Sequence, residues 1–188
     1  KLQFIPGTRN EGIFLFTCKK SKEVEFKNRI LGIIQNADID IRDFRTTENV
    51  VEMPDSIFRL MNELYKEDKI DQVIEKKVRI DKVYTKHHML DEPEKEIEFP
   101  FDIESDGTKR LFELLGPMIC SLNDGNVIVI DEIESSMHPN LVAMLLKYFH
   151  KNSDPSNRAQ LIFATHSANL LNRNLLRRDQ IWFTDKKK

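Results

Sequence analysis

The spacing of apolar positions changes several times along the chain. From Glu23 to Asn36, Phe26, Ile30, Leu31, Ile33 and Ile34 recur at helical intervals, so a helix is predicted there. Upstream, Ile13-Phe14-Leu15-Phe16 is a continuous apolar run that fits either a buried strand or one side of a buried helix. Ile39, Ile41 and Phe44 then suggest period two and a short strand. Asp55, after Pro54, is a candidate N-cap for a helix with the stripe Ile57, Leu60, Met61 and Leu64. Its charges, continuing through Lys77, place it on the surface. Val78, Ile80 and Val83 precede an acidic, proline-containing turn, Asp91-Glu92-Pro93-Glu94. Ile97, Phe99, Phe101 and Ile103 alternate after it, which predicts an antiparallel hairpin with one buried face.

Beyond Ile103 the pattern becomes that of an α/β protein. Ser105-Asp106-Gly107-Thr108 opens a helix with the stripe Leu111, Leu114, Leu115, Met118, Ile119 and Leu122. Pro117 should kink it, and Asn123-Asp124-Gly125 should end it. Val127 to Ile130 and Leu161 to Ala164 are strands apolar on both faces, separated by a helix from Asn140 to His150. A short helical stretch and a further strand, Gln180-Ile181-Trp182-Phe183, follow. Such strands alternating with helices imply a parallel sheet covered on both sides. The expected organisation is a mixed, mostly helical portion over 1–80, an antiparallel hairpin over 81–104, and half of a doubly wound α/β domain over 105–188.

Composition narrows the function. A chain of 188 residues is one domain, or one domain with a small appendage. Its 40% hydrophobic content is enough for a sizeable core and excludes wholesale disorder. The 29 basic and 31 acidic side chains give a net charge of −2, which excludes a strongly basic nucleic-acid binder but leaves room for a local basic patch. Apolar runs are too short to span a bilayer, so no membrane partner is expected. Cys18 and Cys120 lack CxxC spacing, which points to a reducing, cytoplasmic compartment. The chain starts at Lys1 without a signal peptide, and we read it as a piece of a longer protein.

Three groups of residues carry chemistry. Val127 to Ile130 runs into Asp131-Glu132, at the carboxyl end of a parallel strand, where ligands of open α/β sheets bind. One carboxylate there can hold magnesium through water while the next polarises an attacking water; the alternative is an acidic pair that only ends a strand. The second strand ends in Thr165-His166-Ser167, and a histidine at the same edge can hydrogen-bond a terminal phosphate. Ser105-Asp106-Gly107-Thr108 offers backbone N–H groups at a helix start, suited to phosphate, though such residues are also ordinary caps.

Taken in order, Glu104-Ser105-Asp106-Gly107-Thr108-Lys109-Arg110-Leu111, Ile130-Asp131-Glu132-Ile133-Glu134, Met137-His138-Pro139, Phe163-Ala164-Thr165-His166-Ser167 and Arg177-Arg178-Asp179-Gln180-Ile181-Trp182-Phe183 resemble the C-terminal half of an ABC-type ATPase head. The closer resemblance is to AAA-labelled bacterial ATPases of the RecF, overcoming-lysogenization-defect and RloA type, often linked to phage defence or abortive infection. It is specific over 104–183. It implies a partial P-loop NTPase fold, ATP and Mg2+ as ligands, and a head-to-tail homodimer closed on nucleotide. Ser105, Asp106, Gly107 and Thr108 look like the signature motif, Asp131 like the Walker B aspartate at the metal, and Glu132 like the general base. Ser136 falls in the D-loop and His166 looks like the switch histidine. Asp106 stands where transporters have glycine, which argues against a transporter, and Glu134 adds a third acid of unclear role.

A phosphate cradle, GxxxxGK[ST], is the missing part. Gly7 and Gly12 have its spacing, yet Ile13-Phe14 follow in place of lysine and a hydroxyl residue, so the cradle is expected upstream of Lys1 and the fragment alone should be inactive. The expected function is that of an ATP hydrolase switching a partner effector, such as a nuclease, in phage defence. The alternatives are a non-hydrolysing interaction module derived from an ATPase, which could bind a partner or DNA, and a RecF-like DNA-associated ATPase. The helix from Asp55 is short for the arm the last would need. His87-His88 with Asp91 and Glu92 could hold a metal or be a solvated hairpin end. Arg173, Arg177 and Arg178 could touch nucleic acid, but no aromatic platform is interleaved with them.

Overall fold

The computed structural model describes residues 1–37, 39–59, 76–89, 91–92, 94–154 and 156–185. Strand β1 (Leu2–Ile5) leads into helices α1 (Glu11–Lys20) and α2 (Val24–Asn36). Strands β2 (Asp43–Glu52), β3 (Lys77–His88) and β4 (Glu96–Pro100) follow. Then come α3 (Asp106–Asp124), β5 (Val127–Ile130), α4 (Pro139–Asn152) and β6 (Gln160–Phe163). The apolar run at Ile13–Phe16 is therefore helical, capped by the Asn10 side chain, which accepts from the Ile13 N–H. The chain is helical at 55–59, with Asp55 its first helical residue and its carboxylate 2.7 Å from Lys76 Nζ. Leu60, Met61 and Leu64 of the expected stripe lie outside the described residues.

Two sheets form among the described residues. One is parallel, in the order β1-β5-β6, and the other antiparallel, in the order β2-β3-β4. The expected hairpin is the β3–β4 pair, with Tyr84 opposite Pro100 and His88 opposite Glu96, and β2 extends it by a strand. Phe101–Ile103 turns into a 3-10 helix instead of continuing β4. β1 pairs with β5 from Leu2–Val127 to Ile5–Ile130, so the first strand of the expected 1–80 portion joins the sheet of the later half. The expected strand at 180–183 is absent: residues 178–180 form a 3-10 turn, and Trp182 and Phe183 project into solvent. A strand needs a ladder partner, and among the described residues none lies alongside it.

One core joins these layers. Ile5, Ile128 and Ile130 point from the parallel sheet into the cluster that α3 and α4 complete with Leu111, Leu115, Val142 and Leu146. The opposite face carries Leu2, Phe4 and Ile162, which are 72%, 63% and 53% exposed, so among the described residues the sheet is covered on one side only, not on two. Alternating side chains of β1 and β6 explain this, because neighbours along a strand face opposite ways.

Helix α3 is the centre of the fold, and Ser105 caps it by accepting from the Thr108 N–H at 3.1 Å. It runs through Pro117 without a break. The proline ring removes the donor that the Glu113 carbonyl would otherwise receive. The Thr17 hydroxyl of α1 donates to that carbonyl instead, at 3.1 Å. Gly116 makes the approach possible, since a Cβ there would stand 2.1 Å from Thr17 Oγ1. Gly125, with φ of 67°, closes the helix in the left-handed region.

Cys18 is fully buried on α1, and burial, aided by the charge of Asp81, pushes its thiol up to about 12. A thiol that stays protonated is a poor nucleophile. Cys18 is accordingly expected to resist a disulfide reagent at pH 8 until the protein is unfolded, as read from the mass of the peptide that bears it. Rapid labelling in the folded state would contradict this packing.

No helix among the described residues is long and apolar enough to cross a membrane.

Candidate functional site

The parallel sheet brings its carboxyl ends to one edge. β5 is apolar, with Ile128 and Ile130 buried, and the chain leaves it at Asp131, whose N–H still donates to the Ile5 carbonyl at 2.9 Å. β6 leaves at Ala164, whose N–H donates to the Ile130 carbonyl at 2.9 Å. The residues that follow the two strands are therefore neighbours, as parallel register requires. Asp131, Glu132 and His166 are all exposed there. His166 Nε2 lies 3.7 Å from Glu132 Oε1, close enough for attraction when the ring is protonated.

The loop after β5 is tightly wound. Ser135 N–H donates to the Glu132 carbonyl at 2.8 Å, and Met137 N–H to the Glu134 carbonyl at 2.9 Å. Glu132 and Ser136 have φ of 44° and 62°, unusual for residues with a Cβ. Such outliers persist where the surroundings hold them and occur often at functional sites. Ser136 meets the start of α3, since a Cβ on Gly107 would stand 3.0 Å from the Ser136 carbonyl oxygen. Ser105 and Asp106 are exposed at that helix start, and Thr108 is buried with its hydroxyl 2.8 Å from Ser105 Oγ. Two pairings thus emerge, Glu132 with His166 and Ser136 with Gly107, and Glu132 and Ser136 lie on one continuous loop.

Glu134 has a role that the sequence left open. Its Oε1 accepts from the His166 N–H at 2.6 Å, tying the loop after β6 to the loop after β5. Burial alone would raise its carboxyl, but the His166 N–H bond, together with the nearby Thr165 hydroxyl and its own N–H, more than offsets this and holds it below its usual range. A depressed carboxylate contributes stability that is present above the ordinary value of about 4.3 and lost as pH falls through the lowered one. Glu134→Gln should therefore lower the melting temperature at pH 7, with the gap from wild type closing as the medium is acidified below that window. An equal gap at both ends would exclude the linkage.

Other candidates are placed differently. His87 is paired rather than solvated at the hairpin end: its Nε2 lies 2.7 Å from Glu104 Oε1, and Thr85 Oγ1 donates to the same oxygen at 2.5 Å. Among the described residues no group of three or more His, Cys, Asp or Glu could hold a metal. Arg177 pairs with Asp179 at 3.0 Å. Gly7 follows β1 and Gly12 is the second residue of α1, a strand–loop–helix placement, but Ile13 and Phe14 stand where a phosphate cradle needs a lysine and a hydroxyl residue.

The fold and this edge define an α/β protein with a polar rim at the carboxyl ends of a parallel sheet. Over residues 18–172 the chain matches the family model described as "AAA domain, putative AbiEii toxin, Type IV TA system", and it belongs to that family. It is thus of the AAA ATPase type, whose members bind nucleotide, usually with Mg2+. No curated protein and no solved structure matches it.

Proposed function

We propose that this chain is the C-terminal part of a Mg2+-dependent ABC-type ATPase head that hydrolyses ATP held between two copies. The observation that carries the reading is the convergence of Glu132 and His166, 3.7 Å apart, beside Asp131 at one rim of the parallel sheet. Asp131 would hold Mg2+. A single exposed carboxylate suits that ion, which prefers one or two carboxylates plus substrate phosphates and water to an all-protein cage. When bound, the ion neutralises charge on the phosphate oxygens.

Glu132 accepts the proton of the attacking water as that water approaches the γ-phosphorus. His166 donates a hydrogen bond from its ring to a γ-phosphate oxygen and is steadied by Glu134 through its backbone. The Asp106 and Gly107 N–H groups at the Ser105–Thr108 helix start point to the γ-phosphate bound by the second copy, with Ser136 beside them, while the Thr108 N–H is taken by the Ser105 cap. The phosphate cradle comes from residues outside this chain, and the apolar sheet face of Leu2, Phe4 and Ile162 is suited to cover by that portion. Hydrolysis opens the dimer and switches a partner effector, for which the toxin–antitoxin wording of the family description supports a setting in phage defence.

The test is ATP turnover of Glu132→Gln in the full-length protein. Collapse of turnover with nucleotide binding and dimerisation retained supports the reading. Undiminished turnover overturns it.

A further inference from the structure

The loop that follows β1, residues 6–9, passes directly behind Glu132. A Cβ on Gly7 would stand 2.8 Å from Glu132 Cβ, 2.9 Å from its Oε2 and 3.2 Å from the Asp131 carbonyl oxygen. Only a residue without a side chain fits there unless the backbone at Asp131–Glu132 shifts, because Cβ does not swing away with the rest of the side chain. Glu132 itself sits at a φ of 44° and depends on its surroundings to stay there.

Helix α3 holds this loop in place. Arg110, 1% exposed, donates from Nη2 to the Pro6 carbonyl at 2.6 Å and from Nη1 to the Thr8 carbonyl at 3.3 Å, gripping the chain on both sides of Gly7. Glu113, one turn further and equally buried, lies 3.5 Å from Arg110 Nη1 and accepts from Arg9 Nε at 2.9 Å. These two charges interrupt an otherwise apolar stretch, Leu111, Phe112, Leu114 and Leu115. Burial works against the charge of Arg110, and Glu113 partly restores it. For packing alone, hydrocarbon of similar volume would serve as well as a buried ion pair. Hydrocarbon cannot hold two backbone carbonyls at a set spacing. The same helix meets the far side of the Glu132 loop, where Gly107 touches the Ser136 carbonyl.

We propose that Arg110, supported by Glu113, is a positioning residue that acts through Gly7 to set the carboxylate of Glu132, so that the helix bearing Ser105–Thr108 is mechanically tied to the hydrolytic group. This rests on the reading of Glu132 as the general base. The experiment compares full-length wild type with Gly7→Ala, Arg110→Lys, Glu132→Gln and the Gly7→Ala/Glu132→Gln double variant, measuring kcat, KM and melting temperature. Gly7→Ala is expected to lower kcat roughly ten- to a hundredfold, the scale of an ångström-sized misplacement, with KM near wild type and a moderate fall in melting temperature from the forced shift. Arg110→Lys, which keeps the charge but lacks the fork that spans both carbonyls, is expected to lower kcat in the same manner and remains informative if the alanine variant fails to fold. In the Glu132→Gln background the alanine should cost nothing further, because both changes act on one group. If Glu132→Gln retains turnover, the base assignment fails and this inference with it. If Glu132→Gln collapses turnover while both Gly7→Ala and Arg110→Lys keep wild-type kcat, or while the alanine costs as much in the double variant as alone, the positioning role alone is refuted.

Discussion

Glu132→Gln is expected to lower ATP turnover of the full-length protein by about two to four orders of magnitude, the usual worth of a positioned general base. The amide has the size of the carboxylate, so it leaves the loop at its left-handed φ and the contact with Gly7 unchanged. It still accepts a hydrogen bond from water, but it cannot take the proton. Binding should survive, because the substituted group is not one that holds the phosphates in the proposed arrangement. The variant also loses the attraction between Glu132 and a protonated His166 across 3.7 Å, a modest change at an exposed pair. Slow turnover with retained nucleotide therefore separates loss of the base from loss of the site, and dimers that outlast nucleotide exchange would show the same arrest. Turnover within about twofold of wild type would move the base role to another group, since a lost base costs far more than that.

The rim was legible because its signals are local. An apolar run that ends in two acids is a strand end by composition, and a second run ending in Thr165-His166 repeats the pattern. Ser105 was legible as a cap because cap chemistry needs only four consecutive residues. β1 was hidden: Leu2–Ile5 is too short to show a period, and its partner β5 lies far along the chain. The run at Ile13–Phe16 remained undecided for a related reason, since a buried helix and a buried strand are both apolar throughout over so few positions. Gly7 and Gly12 have the spacing of a phosphate cradle without its lysine, and Gly7 is needed for close approach to Glu132. One signal was available and unused. Arg110 and Glu113 stand three apart inside the buried stretch of α3, where two charges have to find partners. Trp182 and Phe183 are the opposite case: strand-like composition forms no strand where the described chain offers no neighbouring ladder.

Phe112→Ala is expected to destabilise the protein by about 3–5 kcal/mol. Phe112 is 1% exposed on α3, and its ring centroid lies 5.9 Å from Phe14 of α1, 5.3 Å from Phe44 of β2 and 5.0 Å from Phe101 of the 3-10 turn. The Phe44 contact is edge-to-face at 90°, a favoured aromatic geometry. One ring therefore joins the antiparallel sheet, the first helix and the helix that Ser105 caps. Truncation leaves a cavity among three stiff aromatic side chains on three different elements, which cannot all close in on it. Against a typical total of about 5–15 kcal/mol, the loss consumes a large share of stability. Urea unfolding should show a lower midpoint with an unchanged slope, and Phe112→Leu, which refills most of the space, should recover most of the difference. A midpoint shift worth less than about 1 kcal/mol would mean that the site collapses freely and that the four rings do not bind the layers together.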